Sequence, residues 1–309
     1  MHDVLIVGGG AAAMSAAIYT ARKKLSTLIV TNEIGGQTSL QPEICNYPGF
    51  LEKDGYVLMR NMRKQVGDLG VGVKEVADGI QEVSFRDDHG KEIFTLKDKN
   101  GNIYEGRSVI IASGKKPRKL NVPGEEEFNN KGVTYCATCD APIFSGKAVA
   151  VIGGGNSGLD SALLLAKYAN KVYVLESSDK IKGDQVTQDK LKESGLAELL
   201  INAEMKEIKG KKFVNAIVYK DKTSGEEREL AAEGVFVAIG MIPNSDFLKG
   251  VCDLNQWGEV VINPRTNATS HVGVFAAGDV TDVPEKQTII AAGDGAKAAL
   301  QCYKWLQSQ

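Results

Sequence analysis

The stretches VLIVGGGAAAMSAAIYTARKKLSTLIV, residues 4–30, and VAVIGGGNSGLDSALLLAKYANKVYVL, residues 149–175, decide the fold of this chain. They align without a gap at an offset of 145 residues. Each contains a short β-branched apolar run, a glycine cluster, a segment of helical period rich in alanine and leucine, and a second β-branched run. This order predicts a βαβ unit, and its recurrence predicts two such units in one chain.

The glycine clusters have the spacing of a dinucleotide-binding turn: GxGxxA at Gly8, Gly10 and Ala13, and GxGxxG at Gly153, Gly155 and Gly158. The first position permits the turn out of the strand, and the second lets the backbone approach a pyrophosphate. The third lets the helix pack closely on the strand. One such motif is a weak signal, because a tight strand-to-helix turn alone can select it. Two copies, each between a strand and a helix, favour two nucleotide sites.

An acidic residue about 20 residues after the glycines is expected to hold ribose hydroxyls. The second copy places Glu176 directly after its second strand, and the first places Glu33 two residues past the matching point. The alternative for each is an exposed acid at the end of a strand. Placement favours the ribose function, more firmly for Glu176.

The remaining strand patterns predict an α/β fold of two Rossmann-like dinucleotide-binding domains, the second inserted in the first. Apolar strands ending in glycine are expected at 108–114 and 234–240, with a third such strand at 273–279. Residues 71–107 are expected to form a β-meander, residues 205–230 a polar hairpin, and Gln287 through Lys297 a helix. The predicted domains are 1–112 plus 243–309 for one nucleotide and 113–242 for the other.

Composition excludes several classes of protein. The 37 basic and 39 acidic side chains give a net charge of -2, so nothing favours nucleic-acid binding. The basic cluster Lys115, Lys116, Arg118 and Lys119 is interpreted as a solvated loop. No apolar run approaches the roughly 18 residues of a membrane helix. The five cysteines are too scattered for a disulfide scaffold, and a reducing cytoplasm is expected.

Cys136-Ala137-Thr138-Cys139 is the single CxxC of the sequence. A structural zinc site needs four ligands, and neither a second pair nor clustered histidines exist, so no metal is predicted. A CxxC lowers the pKa of one thiol, and the thiolate is the species that exchanges disulfides. The adjacent Asp140 is a candidate general acid for a departing thiolate, with a helix N-terminal acid as the alternative.

Two nucleotide sites and one dithiol suggest a relay from a nicotinamide through a flavin to a disulfide. The flavin belongs in the first unit, which the chain returns to complete with Gly278 and Asp279.

The chain resembles the low-molecular-weight thioredoxin reductases and, more closely, the flavoprotein subunit of bacterial alkyl hydroperoxide reductase. The motifs that carry the resemblance span the chain: GGQTSLQPEICNYPGF (35–50), IIASGKKPRKLNVPGE (110–125), GVTYCATCDAP (132–142), AVIGGGNSGLDSA (150–162), KGDQVTQDKL (182–191), AIGMIPN (238–244) and GVFAAGD (273–279) with Lys286-Gln287.

The resemblance implies roles for individual residues. Cys139 would face the flavin, Cys136 would attack the disulfide of a thioredoxin- or glutaredoxin-like partner, and Asp140 would be the acid. FAD would be held by Glu33, Gly36, Gln37, Asn46, Asp279, Lys286 and Gln287 together with the first glycine turn. Further cofactor positions are predicted at Ser113 and Gly114 for the first site and at Asn156, Ser157 and Gly240 for the second. The resemblance also implies a homodimer and a hinge motion near residues 113–118 and 241–245.

Three departures from the family pattern refine the expectation. NADPH-dependent members carry a His-Arg-Arg-x-x-x-Arg run where this chain has Glu176-Ser177-Ser178-Asp179-Lys180-Ile181-Lys182, which favours NADH over NADPH. The thioredoxin-like domain that precedes the flavin domain in hydroperoxide-reductase flavoproteins is not in this sequence, so a separate acceptor protein is expected. Ala141 stands where a glycine usually follows Cys-Asp. The alternatives are the same relay driven by ferredoxin or a deazaflavin, an NADH oxidase, and a sensor that uses FAD structurally.

Overall fold

Two compact units make up the chain, which the computed structural model describes over residues 1–41 and 44–309. Unit 1 comprises Met1–Lys116 and Ile242–Gln309, and unit 2 comprises Pro117–Met241. Pro42 and Glu43, which belong to the 35–50 motif, lie outside the described residues. Unit 2 is therefore inserted in the chain of unit 1.

The strands within the described residues are, in chain order, β1 (Val4–Val7), β2 (Thr27–Thr31), β3 (Gly72–Glu75), β4 (Ile80–Asp88), β5 (Lys91–Asp98), β6 (Ile103–Gly106), β7 (Val109–Ile111), β8 (Lys115–Pro117), β9 (Val133–Thr134), β10 (Ala148–Ile152), β11 (Lys171–Leu175), β12 (Ala197–Leu200), β13 (Ala203–Gly210), β14 (Val214–Asp221), β15 (Glu227–Ala231), β16 (Gly234–Val237), β17 (Met241–Pro243) and β18 (Val274–Ala276). The helices are α1 (Ala11–Arg22), α2 (Gly36–Ser39), α3 (Gly55–Asp68), α4 (Ala137–Asp140), α5 (Asn156–Leu165), α6 (Gln185–Glu193) and α7 (Thr288–Gln307). Short 3-10 turns occupy Ala141–Phe144, Asp246–Leu248 and Gly278–Val280.

Unit 1 is built on a five-stranded sheet of order β18-β7-β1-β2-β3, in which all pairs are parallel. Strand β1 is buried on both faces: Val4 and Ile6 contribute to one apolar cluster with α1 and α7, and Leu5 and Val7 to another. This explains why its sequence is continuously apolar and not alternating.

Unit 2 repeats the same plan with the order β12-β11-β10-β16-β9, again parallel throughout. In β10, Ala150 and Ile152 pack in one apolar cluster, and Val149 and Val151 pack in the cluster that includes α5. The two Rossmann-like units predicted from the duplicated segments are thus confirmed.

Each unit also carries a three-stranded antiparallel sheet, β4-β5-β6 in unit 1 and β13-β14-β15 in unit 2. The prediction of one meander over 71–107 is wrong at its start, because β3 pairs in parallel with β2 in the main sheet. The predicted hairpin at 205–230 has a further strand, since the chain turns tightly at 211–213. A Cβ at Gly210 would lie 2.2 Å from the Phe213 carbonyl oxygen, so this turn requires glycine.

The last helix runs well past the predicted end at Lys297. Its buried side chains continue with Ala298, Ala299, Cys302 and Leu306, which recur at helical spacing and keep the helix against the core. Among the described residues, no helix combines the length and apolar character needed to cross a membrane.

Candidate functional site

The first glycine of each duplicated turn occupies a backbone conformation that other residues rarely adopt. Gly8 has φ +123° and Gly153 has φ +117°. A Cβ at Gly8 would lie 2.1 Å from the carbonyl oxygen of Ala112, and one at Gly153 would lie 2.4 Å from that of Ala238. Each strand therefore turns directly beneath the end of its neighbour, and only glycine fits there.

The second glycine of each turn faces open space. A Cβ at Gly10 or Gly155 would meet no atom within 4 Å. These glycines are the N-caps of α1 and α5, and within the described residues no side chain caps either helix. The N-terminal N–H groups of both helices are consequently available to an anionic ligand.

The third position joins helix to strand. A Cβ at Gly158 would lie 1.9 Å from the carbonyl oxygen of Gly153, and Ala13 of the first turn is fully buried. Both turns thus have the three-part geometry of a pyrophosphate cradle.

In unit 1, loops that are distant in sequence meet beside the first cradle. The Gly35 N–H donates to the Gly9 carbonyl at 2.9 Å, which places Gly36 and Gln37 of α2 near the glycine turn and next to Glu33. The Asn46 side-chain amide donates to Gln287 Oε1 at 3.0 Å. Of the residues predicted to hold FAD, Gly36 and Gln37 therefore lie against the glycine turn, and Asn46 lies against Gln287.

Ser113 and Gly114 follow β7 at the same edge of the sheet. The Ser113 hydroxyl donates to the Asn244 carbonyl at 2.7 Å, and the Asn244 side-chain amide donates back to the Ser113 carbonyl at 2.9 Å. Gly114 has φ +66°. These bonds secure the segment that follows the strand.

A group of charged side chains lies near Asp279. Glu259 accepts from Lys115 Nζ at 2.7 Å and lies 3.5 Å from Lys286 Nζ, and the Lys115 and Glu259 side chains are each 15% exposed. Burial raises the pKa of Asp279, against the opposing charges of Lys286 and Lys115. Burial also lowers the pKa of Lys286, as does the neighbouring Lys115 charge.

This cluster corrects the interpretation of Lys115 as part of a solvated loop, because its ammonium is paired and largely buried. Glu259 was not among the residues predicted from the sequence. No spacing signal could have found the pair, since its partners lie 144 residues apart.

In unit 2, the Glu176 carboxylate is fixed by three donors. Its Oε2 accepts from the Gly154 N–H at 2.8 Å, and its Oε1 accepts from the Ser178 N–H at 2.9 Å and from the Ser178 hydroxyl at 2.8 Å. Burial alone would raise the pKa of Glu176, but these hydrogen bonds and the Lys182 charge hold it below the ordinary range. An ionised carboxylate thus stands at the end of β11, beside the second cradle.

The other predicted residues of the second site lie around the same cradle. Asn156 and Ser157 form the first turn of α5, and Asn156 Oδ1 accepts from the Asp184 N–H at 2.7 Å. Gly240 has φ +96°, and its carbonyl accepts from the Arg118 N–H at 2.9 Å.

The two cysteines of the CxxC form a disulfide with Cα atoms 5.4 Å apart. Cys136 caps α4, its sulfur accepting from the Cys139 N–H at 3.2 Å. Ala141 has φ -50° and ψ -41°, a right-handed helical conformation, so the turn after Cys-Asp forms without glycine.

Asp140 lies beside the disulfide and accepts a short hydrogen bond from the Thr134 hydroxyl. Tyr135, the first residue after β9, is also held in place: its hydroxyl donates to the Glu125 carboxylate at 2.9 Å, and Glu125 is 2% exposed. Burial, followed by the Glu125 contact, raises the pKa of Tyr135. Thr134 and Glu125 lie within the motifs at 132–142 and 110–125, but the sequence predicted no role for either. Over the described part of the chain, no group of His, Cys, Asp and Glu side chains is arranged to hold a metal ion.

Comparison with known proteins agrees with this geometry. The chain matches the family model for pyridine nucleotide-disulphide oxidoreductases over residues 2–296. It is 42% identical to an NADH dehydrogenase of Bacillus subtilis and 43% identical to a subunit of the alkyl hydroperoxide reductase of Staphylococcus aureus. These alignments cover 98% and 99% of this chain but 58% and 59% of the relatives, so the chain spans about three fifths of their length.

Solved structures of other proteins are similar to this chain over nearly its full length. Thioredoxin reductase from Lactococcus lactis is 33% identical with a TM-score of 0.84, covering 100% of both chains. Thioredoxin reductase from T. acidophilum is 36% identical with a TM-score of 0.80, covering 98% of both.

The matched family implies FAD and a nicotinamide nucleotide as cofactors, and the open backbone at Gly10 and Gly155 fits two dinucleotides. With two nucleotide cradles and one redox-capable disulfide, the chain belongs to the pyridine nucleotide-disulphide oxidoreductase family.

Proposed function

We propose that the chain is an FAD-dependent disulfide reductase that passes electrons from NADH through FAD to the Cys136–Cys139 disulfide and on to a thioredoxin- or glutaredoxin-like protein. The observation that carries the proposal is the disulfide in the same unit as a complete nucleotide cradle. The names of the solved thioredoxin reductases, similar over their full length, support a thioredoxin-like partner.

Unit 1 is the proposed FAD domain and unit 2 the proposed NADH domain. In unit 1, the turn from Gly8 to Ala13 would hold the pyrophosphate, and the Asn46–Gln287 pair and Asp279 would hold the rest of the cofactor. FAD, when bound, supplies two-electron chemistry between a nicotinamide and a disulfide. The residues of the chain bind and orient it.

The preference for NADH rests on Glu176. A carboxylate held in its ionised form accepts hydrogen bonds from ribose hydroxyls and repels a 2′-phosphate. The segment 177–182 that follows Glu176 contains serines and lysines but no arginine that could form a bidentate hydrogen bond with a phosphate. NADPH is therefore the poorer donor.

The dithiol delivers the electrons by exchange. Once reduced, the Cys136 sulfur attacks the partner's disulfide, and the leaving sulfur takes a proton from Asp140. Cys139 then attacks Cys136 in the mixed disulfide, which restores the disulfide of the enzyme and releases a reduced partner.

An anaerobic titration with three donors tests the proposal. The flavin absorbance of the FAD-loaded protein is followed during addition of NADH, NADPH or reduced ferredoxin. NADH should bleach the flavin at stoichiometric amounts and NADPH only in large excess. Bleaching by ferredoxin alone would refute the nicotinamide assignment and favour the alternative donor.

An NADH oxidase or dehydrogenase is the second candidate function, favoured by the name of the Bacillus subtilis relative. The Cys136→Ser variant separates the two. Under the disulfide-reductase proposal it loses reduction of protein disulfides while NADH still reduces its flavin. If electrons pass to oxygen or a quinone, turnover survives the substitution unchanged.

A further inference from the structure

One buried hydroxyl joins the two ends of the segment that carries the cysteines. Thr134 is 8% exposed and ends β9, where it pairs with Phe236 of β16. Its Oγ1 donates a short hydrogen bond to Asp140 Oδ2 and accepts one from the Cys136 N–H, with an N···O distance of 3.2 Å. A side chain of the sheet therefore fixes Asp140 relative to Cys136.

We propose that Thr134 is a positioning residue for thiol–disulfide exchange, holding Asp140 where it transfers a proton to the leaving sulfur. This inference rests on the proposed function, because it requires Cys136 as the attacking sulfur and Asp140 as the acid.

The chemistry of a hydroxyl suits this position. A threonine hydroxyl has one proton and two lone pairs, so it can both donate and accept. It donates to the Asp140 carboxylate, while one lone pair accepts from Cys136. When Asp140 is protonated on Oδ1, its Oδ2 still accepts from the Thr134 hydroxyl. The contact therefore survives both protonation states and leaves Oδ1 to exchange the catalytic proton.

Asp140 needs such a contact because its own element is short. It is the last residue of the four-residue helix α4 and is half-buried, so nothing in the helix itself selects one side-chain rotamer. A catalytic acid must stay within hydrogen-bond reach of the atom that it protonates. Tethering Oδ2 to the sheet supplies this restriction.

The proposed step is balanced in atoms and electrons. Cys136 attacks as its thiolate while Asp140 holds the proton, one S–S bond of the partner breaks, and a new S–S bond to Cys136 forms. The electron pair of the broken bond goes to the leaving sulfur, which takes the proton from Asp140. The Cys139 sulfur then attacks Cys136 and forms the enzyme disulfide, the electron pair of the Cys136–partner bond goes to the partner's second sulfur, and the Cys139 proton follows it. The partner has then gained two electrons and two protons in all.

The test uses two small disulfides that differ in their need for an acid. Bis(2-hydroxyethyl) disulfide releases an alkyl thiol that needs a proton, whereas 5,5′-dithiobis(2-nitrobenzoate) releases an aromatic thiolate that leaves readily without one. The FAD-loaded enzyme is reduced anaerobically and mixed with either disulfide in a stopped-flow instrument. Wild type, Thr134→Val, Thr134→Ser and Asp140→Asn are compared.

Thr134→Val, which keeps the shape but removes the hydroxyl, should slow reduction of the alkyl disulfide by about tenfold and that of the aromatic disulfide by less than about twofold. Asp140→Asn should show the same contrast with a loss of about 100-fold. Thr134→Ser should restore the alkyl rate to within about threefold of wild type. Flavin reduction by NADH reports whether each variant is folded.

An equal loss with both disulfides, or no loss with either, overturns the role of Thr134 and leaves the disulfide reductase standing. If wild type reduces neither disulfide although NADH bleaches its flavin, the proposed function fails and the positioning role fails with it.

Discussion

Alanine substitution of two glycines in one turn should have opposite effects on stability. Gly155 has φ -81° and ψ 177°, which alanine adopts without strain, and its Cβ would meet nothing within 4 Å. Replacing glycine at such a position stabilises a protein by about 0.4–1 kcal/mol, because the unfolded chain loses conformational freedom. Gly155→Ala should therefore raise the melting midpoint by up to about 4 °C.

The same substitution should weaken NADH binding. The new methyl group projects into the space that a pyrophosphate needs for contact with the backbone. Losing one hydrogen bond to a charged group costs about 1.5–3 kcal/mol. This corresponds to a roughly 10- to 150-fold increase in the KM for NADH.

Gly158→Ala should behave differently, because its Cβ would lie 1.9 Å from a backbone carbonyl oxygen that cannot swing away. Overpacking of this kind costs about 1–3 kcal/mol. Its melting midpoint should fall, and its KM for NADH should change only as far as the turn is distorted.

Calorimetry and steady-state kinetics with NADH measure both quantities. Gly10→Ala is the matched control, since its Cβ also meets nothing within 4 Å but it belongs to the first cradle. It should lower FAD content and leave the KM for NADH of the loaded fraction unchanged. A stable Gly155→Ala protein with a wild-type KM for NADH would refute the placement of the pyrophosphate, and an unfolded one would refute the steric argument.

Two further variants test the charged groups of the sites. Ser178→Ala should raise the KM for NADH about fivefold without changing kcat, because the hydroxyl contributes about 1 kcal/mol to holding Glu176. In wild type this KM should stay constant as the pH falls to about 5, since the pKa of Glu176 lies below its ordinary value of about 4.3, whereas in Ser178→Ala the rise should begin at higher pH. Glu259→Gln should destabilise the protein at pH 7 by about 2 kcal/mol, because Lys115 and Lys286 lose their shared carboxylate. Denaturant titration should show that this loss of stability shrinks as the pH approaches the ordinary lysine pKa of about 10.4. The reason is that the folded variant, whose buried lysines have lost their carboxylate, binds fewer protons there than the unfolded variant, so its stability rises with pH. A loss of stability that stays constant from pH 7 to 10 would contradict the pairing of Glu259 with the two lysines.

The sequence predicted the parts of this protein that depend on local geometry. The turns at Gly8 and Gly153 were predictable because the constraint of a strand, a turn and a helix lies within a few residues. The CxxC was predictable as a disulfide pair for the same reason. Because the βαβ pattern occurs twice in the sequence, two nucleotide-binding units could also be predicted.

Contacts between distant segments were not predictable. Lys115 looked solvated in a run of basic residues, and only folding brings Glu259 against it. Thr134 lies in the 132–142 motif, but its contact with Asp140 could not be predicted, because it depends on the short helix that returns Asp140 toward β9. Strand β3 was assigned to the meander because its pairing with β2 depends on a crossover through α3.

The pairing of β9 also bears on the protection of the dithiol against local unfolding. Thr134 pairs with β16, β16 pairs with β10, and β10 leads into the cradle at Gly153. A nucleotide bound at that cradle adds its binding free energy to the cost of opening this sheet, about 2.7 kcal/mol at a concentration 100 times its Kd. Hydrogen exchange at the amides that open only with the sheet would slow by about 100-fold. Under the proposed function, the nicotinamide donor would stabilise the strand that leads into the cysteines, and the dithiol would be best protected from local opening when the donor is abundant.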